Sequence, residues 1–173
     1  MSKYTSLLGI LLLFVGSLLG AEKGPKSAKA ELKNAQGQKV GNVSFKQALD
    51  GIDISLKVFN LPPGQHAFHI HTVGKCDPPD FKTAGGHLNP QNMKHGLKNP
   101  SGPHAGDLPN ITVGKNGKGK AVLLNKRVTL TPGSNSLFHE GGTALIIHEK
   151  ADDETTDPTG NAGNRIACGV IMK

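Results

Sequence analysis

The sequence is poor in aromatic residues and shows no internal repeat. Only 4% of its 173 residues are aromatic, and tryptophan is missing. No segment sustains a 3.6-residue hydrophobic period, which argues against a helical fold. No glycine-rich phosphate loop of the usual form is present, so nothing in the sequence indicates a nucleotide-binding site.

Cysteine is scarce, with Cys76 and Cys168 as the only two. In an exported chain we expect them to form one disulfide, worth about 4–5 kcal/mol in the chain-entropy model for a loop of this length. Two free thiols that bind a metal are the alternative, which an oxidising compartment disfavours. No cysteine follows the apolar run near the amino terminus, which excludes lipid attachment at a new amino-terminal cysteine.

The amino-terminal segment contains the only long hydrophobic run. Residues 1–20 combine an early lysine, an unbroken apolar stretch and then small residues, with Gly20 or Ala21 suited to cleavage. This pattern is typical of a secretory signal peptide and is short and poorly flanked for a membrane span. An uncleaved membrane anchor is the alternative. We therefore expect export to the periplasm or secretion, with no stable membrane association after cleavage.

The positive charge is concentrated in two short stretches. The formal net charge is +7, and loss of Lys3 with the signal peptide would lower it by one. Lysines are frequent just after the apolar run and again in residues 114–120, and neither stretch contains interleaved aromatic residues. We interpret them as a flexible basic tail over residues 21–28 and a lysine-rich turn, so no nucleic-acid partner is expected.

Short β-type runs make up most of the remaining chain. The 23 glycines and 11 prolines suit many short strands joined by turns. Runs such as KVGNVSFKQ and GIDISLKVFN alternate apolar and polar residues, as the strands of hairpins do. The pattern predicts one domain over residues 29–173, folded as an antiparallel all-β sandwich or barrel.

Residues 74–110 interrupt this pattern with a long stretch that has no strand signal. A loop of this length inside a compact domain is either wrongly assigned, disordered or functional. It offers few apolar groups to offset the entropy of ordering. However, it also contains Cys76, three histidines and Asp107. A metal ion and a disulfide could therefore order it where hydrophobic burial cannot.

The segment HAFHIH places three histidines within six positions. Side chains alternate along a strand, so a core-facing Phe68 and Ile70 put His69 and His71 together on the outer face. Two imidazoles at positions i and i+2 of a rigid strand make a good bidentate metal site. His66 shares the core-facing parity and is predicted to be a structural histidine rather than a ligand.

The long loop adds a second group of candidate ligands. His87, His95 and His104 are separated by 8 and 9 residues, and Asp107 follows His104 by three. Three imidazoles and one carboxylate fill a tetrahedral zinc shell and leave no open position, which is typical of a structural site. His148 ends the run ALIIH, and imidazole-rich sets with an open face suit copper. Any one of these residues alone is more often a surface polar group.

The motifs HAFHIH, GGHLNP, KHG, HAGDLPN, IIHEKADD and GNAGNRIACGV resemble the ordered motifs of the copper–zinc superoxide dismutases. The resemblance extends from about residue 29 to residue 171. It implies an eight-stranded antiparallel Greek-key barrel with long metal-binding and electrostatic loops. This is an immunoglobulin-like sandwich architecture, of which the family is itself a standard example.

The resemblance also implies an activity and the metal ions that support it. Superoxide would be disproportionated to O₂ and H₂O₂ while copper cycles between Cu(II) and Cu(I). Each subunit would hold one copper and one zinc. The implied copper ligands are His69, His71, His87 and His148. The implied zinc ligands are His87, His95, His104 and Asp107, so that His87 would bridge the two ions.

Other residues receive roles from the same resemblance. Asp152 would hydrogen-bond one copper and one zinc histidine, although it could also be one more charge in an acidic loop. Arg165 would flank the copper and guide the superoxide anion. The disulfide from Cys168 would hold the long loop against the strand that carries Arg165. His139 matches no ligand motif and is predicted to be a loop histidine.

Two departures from the family pattern qualify these expectations. Residues 149–164 form a shorter segment than in the familiar eukaryotic members and are poor in lysine, which resembles the exported bacterial type. Lys150 is therefore only one candidate for long-range guidance of superoxide. Dimer contacts differ between branches of the family, so a homodimer is compatible with the resemblance but its interface is not predicted.

A non-catalytic copper carrier and a copper-only dismutase are the alternative functions. The first would be favoured by loss of a copper histidine or of Arg165. The second should lack the zinc set. The sequence retains all of these residues.

Overall fold

The computed structural model describes residues 24–173. The predicted signal peptide over residues 1–20 and the first residues of the basic tail lie outside this range. Within it, no helix is long and apolar enough to cross a membrane. The described chain forms nine β-strands and one short 3₁₀-helix.

The strands alternate with turns in the first half of the chain and with long loops in the second. The 3₁₀-helix spans Lys82–Ala84. The strands are β1 (Ser27–Lys33), β2 (Lys39–Ala48), β3 (Gly51–Val58), β4 (Gly64–His66), β5 (Phe68–His71), β6 (Ile111–Val113), β7 (Gly119–Asn125), β8 (Ala144–His148) and β9 (Arg165–Val170). Strand β1 thus begins two residues before position 29, where we expected the domain to start.

All strand pairs are antiparallel, in the order β4-β6-β7-β3-β2-β1-β9-β8-β5. The two end strands, β4 and β5, are consecutive pieces of one run of chain that is interrupted at Ala67. Ala67 donates its N–H to the carbonyl of Lys150 and accepts the N–H of His148, so the run continues the barrel wall. The predicted all-β barrel is confirmed. The ninth strand arises because this single run pairs with β6 before Ala67 and with β8 after it.

The core follows from the alternation of apolar residues along the strands. On β1, the buried residues are Ala28, Ala30 and Leu32, while the intervening residues are exposed. Phe45 and Ile54, which are paired across β2 and β3, are fully buried. Each such large apolar side chain contributes about 1.5–3 kcal/mol when fully buried. The interior is therefore sealed by hydrophobic packing, independently of any metal.

A second apolar cluster lies on the other side of β8 and β9. Phe81 and Ala84 of the long loop pack there against Ala144, Ile146 and Cys168. The predicted disulfide is confirmed, since Cys76 is bonded to Cys168 across 92 residues of sequence. The cluster and the disulfide together attach the loop of residues 72–110, termed loop A, to the barrel wall. Residues 149–164 are termed loop B.

Candidate metal centre

Strand β5 supplies two of the candidate ligands. Phe68 and Ile70 belong to the main core, and His69 and His71 lie together on the opposite face, as the alternation predicted. That face is not open to solvent, because loop A covers it: His69 is 0% exposed and His71 is 1% exposed.

Loop A returns across β5 and brings its own candidate ligands against the strand. Its backbone pairs with the strand at two isolated bridges, between His71 and His87 and between His69 and Asp107. Within this contact, the N–H of Ile70 donates to the carbonyl of Gly106, and the carbonyl of Ile70 accepts the N–H of Leu88. Loop A is therefore ordered by strand-like pairing as well as by the disulfide.

Four imidazoles converge at the copper group, defined as His69, His71, His87 and His148. One ligand atom of each lies within 4.8 Å of the others. In each ring one buried nitrogen has no hydrogen-bond partner among the described residues: Nδ1 of His69 and Nε2 of His71, His87 and His148. A buried polar atom without a partner costs about 1–3 kcal/mol. Four such atoms in one place fit a cation that accepts their lone pairs.

The opposite nitrogens of these rings are held by the protein, which orients the rings. Nδ1 of His71 lies 2.9 Å from the carbonyl oxygen of Gly85, and Nδ1 of His148 lies 3.3 Å from that of Gly163. A ring that donates from Nδ1 to a carbonyl carries its lone pair at Nε2. Each unpartnered nitrogen is thus available as a ligand atom.

Burial lowers the pKa of three of the four copper-group histidines. It lowers the pKa of His87 to about 4 and the pKa of His148 to about 3. It also lowers the pKa of His71 well below the ordinary value, and repulsion from a charged His87 adds to the effect. At neutral pH these rings carry free lone pairs and no charge, as metal coordination requires.

The zinc group, His87, His95, His104 and Asp107, forms a second site beside the first. Oδ1 of Asp107 lies 2.9 Å, 3.0 Å and 3.3 Å from Nδ1 of His87, His95 and His104. The other carboxylate oxygen, Oδ2, accepts the backbone N–H groups of Gly96 and His104, each at 2.9 Å. Three ring nitrogens and one carboxylate oxygen are the donor set that structural zinc takes.

Asp107 is ionised although it is 0% exposed. Burial alone would raise the pKa of its carboxyl, but hydrogen bonds from His104, His87 and His95 hold that pKa far below its usual range. His87 belongs to both groups through different atoms, Nδ1 towards Asp107 and Nε2 towards the copper group. Its ring therefore lies between the two sites.

Asp152, in loop B, connects the two groups through their outer nitrogens. Its Oδ2 lies 2.7 Å from Nε2 of His69, and its Oδ1 lies 3.0 Å from Nε2 of His95. Burial opposes ionisation, but these two hydrogen bonds hold the pKa of Asp152 well below its usual range. Burial also lowers the pKa of His95, yet its bonds to Asp107 and Asp152 prevail and raise it to about 9. Asp152 therefore lies between the two sets of histidines.

Arg165 lies at the start of β9, opposite His148. Its guanidinium is half-buried and donates from Nη1 to the carbonyl of Phe81 and from Nη2 to that of Gly85, both at 2.7 Å. The Gly85 carbonyl also accepts from His71. A single backbone oxygen thus connects Arg165 to a copper-group ring.

The two remaining histidines named in the sequence lie outside both groups. His66 is 3% exposed, with its ring nitrogens 2.9 Å from the carbonyl of His148 and 2.8 Å from that of Pro62. The prediction of a buried structural histidine is confirmed. His139 lies in the loop between β7 and β8, with Nδ1 2.7 Å from the carbonyl of Glu140.

Sequence reasoning missed two residues that hold Asp152 in place. Asn110 and Asp152 bond reciprocally, from Asn110 Nδ2 to the Asp152 carbonyl at 2.9 Å and from the Asp152 N–H to Asn110 Oδ1 at 2.8 Å. Gly160, at φ 62°, lies so close that an added Cβ would overlap Oδ1 of Asp152. Asn110 ends the motif HAGDLPN, which was the available signal. Gly160 gave none.

Comparisons with known proteins agree with this geometry. The family model described as copper/zinc superoxide dismutase matches residues 39–171. A copper–zinc superoxide dismutase of Aquifex aeolicus is 56% identical over 144 residues, which are 82% of this chain and 85% of that protein.

Solved structures of related proteins have the same fold. A superoxide dismutase-like protein from Bacillus subtilis has a TM-score of 0.79 and 43% identity, over 82% of this chain and 96% of that one. The copper/zinc superoxide dismutase of Brucella abortus has a TM-score of 0.67 and 28% identity, over 83% of this chain and 98% of that one.

The family match, the barrel and the two adjacent groups of metal-binding side chains lead to one conclusion. The cofactors are copper and zinc, and the substrate is superoxide. The chain belongs to the copper–zinc superoxide dismutase family, whose members are oxidoreductases that disproportionate superoxide.

Proposed function

We propose that the copper group holds the catalytic copper and the zinc group holds zinc, with the imidazole of His87 shared between them. The four unpartnered ring nitrogens of the copper group carry this proposal. They are buried, and they lie within the reach of one ion. The zinc group supports it with a separate donor set that uses the other nitrogen of His87.

The overall reaction is 2 O₂⁻ + 2 H⁺ → O₂ + H₂O₂, and the protein must deliver one of the protons at the correct atom. When bound, copper would supply the one-electron couple, and zinc held by His87, His95, His104 and Asp107 would supply a fixed positive charge. If Nδ1 of His87 is occupied within the zinc group, a proton added to the ring has only Nε2 to occupy. That atom is the one that His87 contributes to the copper group. Asp152 orients the neighbouring rings of His69 and His95 through its hydrogen bonds to their Nε2 atoms.

We propose that Arg165 guides the superoxide anion to the copper group. Its guanidinium stays charged at all physiological pH values and is held at two carbonyl oxygens of loop A. This fixes a positive charge beside His71 and His148, where a small anion would approach. The aliphatic stem is half-buried, so the charge does not move freely with solvent.

We further propose that the chain is exported, to the periplasm or the medium. The disulfide and the bacterial relatives are consistent with an oxidising compartment, and the predicted signal peptide provides the route. Cell fractionation with intact mass measurement of the purified chain tests this, since a chain that retains residues 1–20 in the cytoplasm contradicts it. The homodimer that the family resemblance allows stays a prediction, which sedimentation analysis measures directly.

The proposal of a shared imidazole is tested by substituting His87 and, as a control, a histidine that lies outside both groups. We expect His87→Ala to lower kcat/KM for superoxide at least ~100-fold, as loss of a general acid does, and to lower the content of both metals. His139→Ala removes a histidine that belongs to neither group and should leave activity and metals near wild type. Metal analysis and a cyanide-sensitive superoxide assay give the readouts. Full activity and metal content in His87→Ala would refute the shared-ring arrangement.

A further inference from the structure

Two residues outside loops A and B contact the turn that carries His104 and Asp107. Asn125 ends β7, and Arg127 follows it by two residues. Arg127 donates from Nε to the carbonyl of His104 at 3.2 Å and from Nη2 to the carbonyl of Asp107 at 2.7 Å. Asn125 donates from Nδ2 to the carbonyl of Ala105 at 2.9 Å. Three of the four carbonyls in this turn are therefore bound from the barrel side.

The same turn is fixed from its other side by its own carboxylate. Oδ2 of Asp107 accepts the N–H groups of His104 and Gly96, while Oδ1 faces the imidazoles. The Arg127 and Asn125 contacts thus complete a set of bonds that leaves the turn little freedom to rotate either ligand. A turn that contains a glycine at position 106 would otherwise adopt many backbone conformations.

The backbone of Arg127 is anchored on both sides, and its guanidinium lacks an acidic partner among the described residues. The backbone N–H of Arg127 donates to Oδ1 of Asn125 at 2.9 Å, and its backbone carbonyl accepts from Nδ2 of Asn135 at 3.0 Å. Its guanidinium is half-buried, and within residues 24–173 it forms no ion pair with a carboxylate. Partial burial of an arginine is unfavourable unless its donors are used. The hydrogen bonds that this guanidinium makes go to the carbonyls of His104 and Asp107.

We propose that Arg127, together with Asn125, is a positioning residue that preorganises the zinc ligands His104 and Asp107. Binding of zinc then requires little further ordering of the turn, which raises the affinity of the site for the ion. The guanidinium touches neither substrate nor metal ligand atoms and acts through the turn. This inference rests on the proposed zinc group.

The experiment measures zinc release from the purified holoprotein into an excess of a chromogenic chelator. Arg127→Met keeps the aliphatic stem and removes the donors, so zinc should leave about 10–100-fold faster, as when other outer partners of metal ligands are lost. Arg127→Lys retains a charge and one set of donors and should give an intermediate rate. Lys126→Met is the matched control, because Lys126 pairs with exposed Asp50 at 2.6 Å. Its rate should stay within about twofold of wild type.

The outcomes separate this inference from the proposed function. A wild-type protein without bound zinc would contradict the zinc group itself. Wild-type zinc content with equal release rates in Arg127→Met and Lys126→Met would overturn the positioning role alone. A merely structural arginine would lower the melting temperature of the metal-free chain and leave zinc release unchanged. If Arg127→Met does not fold, Arg127→Lys and Asn125→Asp are judged by the same criterion, and wild-type release in both overturns the proposal.

Discussion

The copper group and the zinc group lie side by side but are built from different parts of the chain. Three of the four copper-group histidines come from strands, with His69 and His71 on β5 and His148 at the end of β8. All four members of the zinc group come from loop A, between β5 and β6. The first group inherits its geometry from the barrel. The geometry of the zinc group depends on the contacts that order loop A.

The two groups also differ in charge. The copper group has no carboxylate among its four members, and burial lowers the pKa of His71, His87 and His148. The zinc group contains an ionised carboxylate, Asp107, and a histidine, His95, whose pKa is raised to about 9. At neutral pH the zinc group thus combines a negative carboxylate with a positive imidazolium, and binding of a cation releases the proton of His95. The copper group instead offers ring nitrogens without partners in the described part of the chain, most of them on residues of the barrel strands.

The comparison suggests that each site is stabilised by a different means. The copper group relies on strand pairing and on carbonyl contacts that orient two of its rings, Gly85 with His71 and Gly163 with His148. The zinc site relies on the bonds that order loop A, including those of Asp107 and Arg127. The two meet at His87 and at Asp152. Substitutions at these shared residues should affect both sites, and substitutions elsewhere should affect one.

Among substitutions that leave every proposed ligand in place, Asp152→Asn should have the largest effect on both sites together. An amide has one accepting oxygen, so the side chain can no longer accept from both His69 and His95. We expect the affinities for copper and zinc each to fall by about 10–100-fold, as for other losses of a hydrogen-bonded partner of a metal ligand. Metal competition titrations on the purified variants measure both.

The matched control for this change is Asp153→Asn. It alters charge equally at the next position, where the carboxylate contacts Thr155, Thr156 and Asn161 instead of a metal-group histidine. Both affinities should stay near wild type. A fall in only one affinity in Asp152→Asn would show that the carboxylate serves a single site.

Arg165→Glu should affect the copper side alone and act mainly on the rate. The change reverses a charge beside His71 and His148 and should lower kcat/KM about tenfold or more, within the range of electrostatic steering. Both metals should be retained. Arg165→Lys preserves the charge and should retain most of the rate and its dependence on ionic strength. Rapid mixing or pulse kinetics at several salt concentrations gives the measurement, and a wild-type rate in Arg165→Glu would contradict the guiding role.

The strand part of this arrangement could be predicted from the sequence because side-chain alternation is a local property. Phe68 and Ile70 in the core fix the other face for His69 and His71, and the structure has them there. The interruption of the strand at Ala67, where the chain changes its partner strand from β6 to β8, could not be predicted in this way. It depends on which strands lie on either side, β6 and β8, and these are distant in sequence.

The loop part of the site was identified by residue types and by family resemblance. Histidine spacing marked His87, His95 and His104 as candidates, but spacing alone does not fix distances between loop residues. The contacts of Gly85 and Arg127 were not predicted. In both cases the group that is bound is a backbone carbonyl, which every residue carries and which therefore leaves no signal in the sequence.

The smallest predicted effect concerns a bond at the outer edge of the zinc site. Oδ1 of Asp157 accepts the backbone N–H of His95 at 2.7 Å, and Oδ2 accepts from Nζ of Lys94 at 3.0 Å. The first bond lowers the pKa of Asp157 more than the second. Asp157→Ala removes both, together with a 3.8 Å contact between Oδ1 and Nε2 of His104, so the zinc affinity should fall by about fivefold, as for one ordinary hydrogen bond.

Lys94→Met separates the contacts of Asp157, because it removes the exposed ion pair and leaves the bond to the His95 N–H and the 3.8 Å contact with Nε2 of His104. Its zinc affinity should be near wild type, since surface ion pairs contribute little. Copper affinity should be unchanged in both variants, because the copper group is positioned by strands that neither residue contacts. Equal losses of copper and zinc in Asp157→Ala, measured by metal competition, would mean that loop A orders both sites and that the contrast between them does not hold.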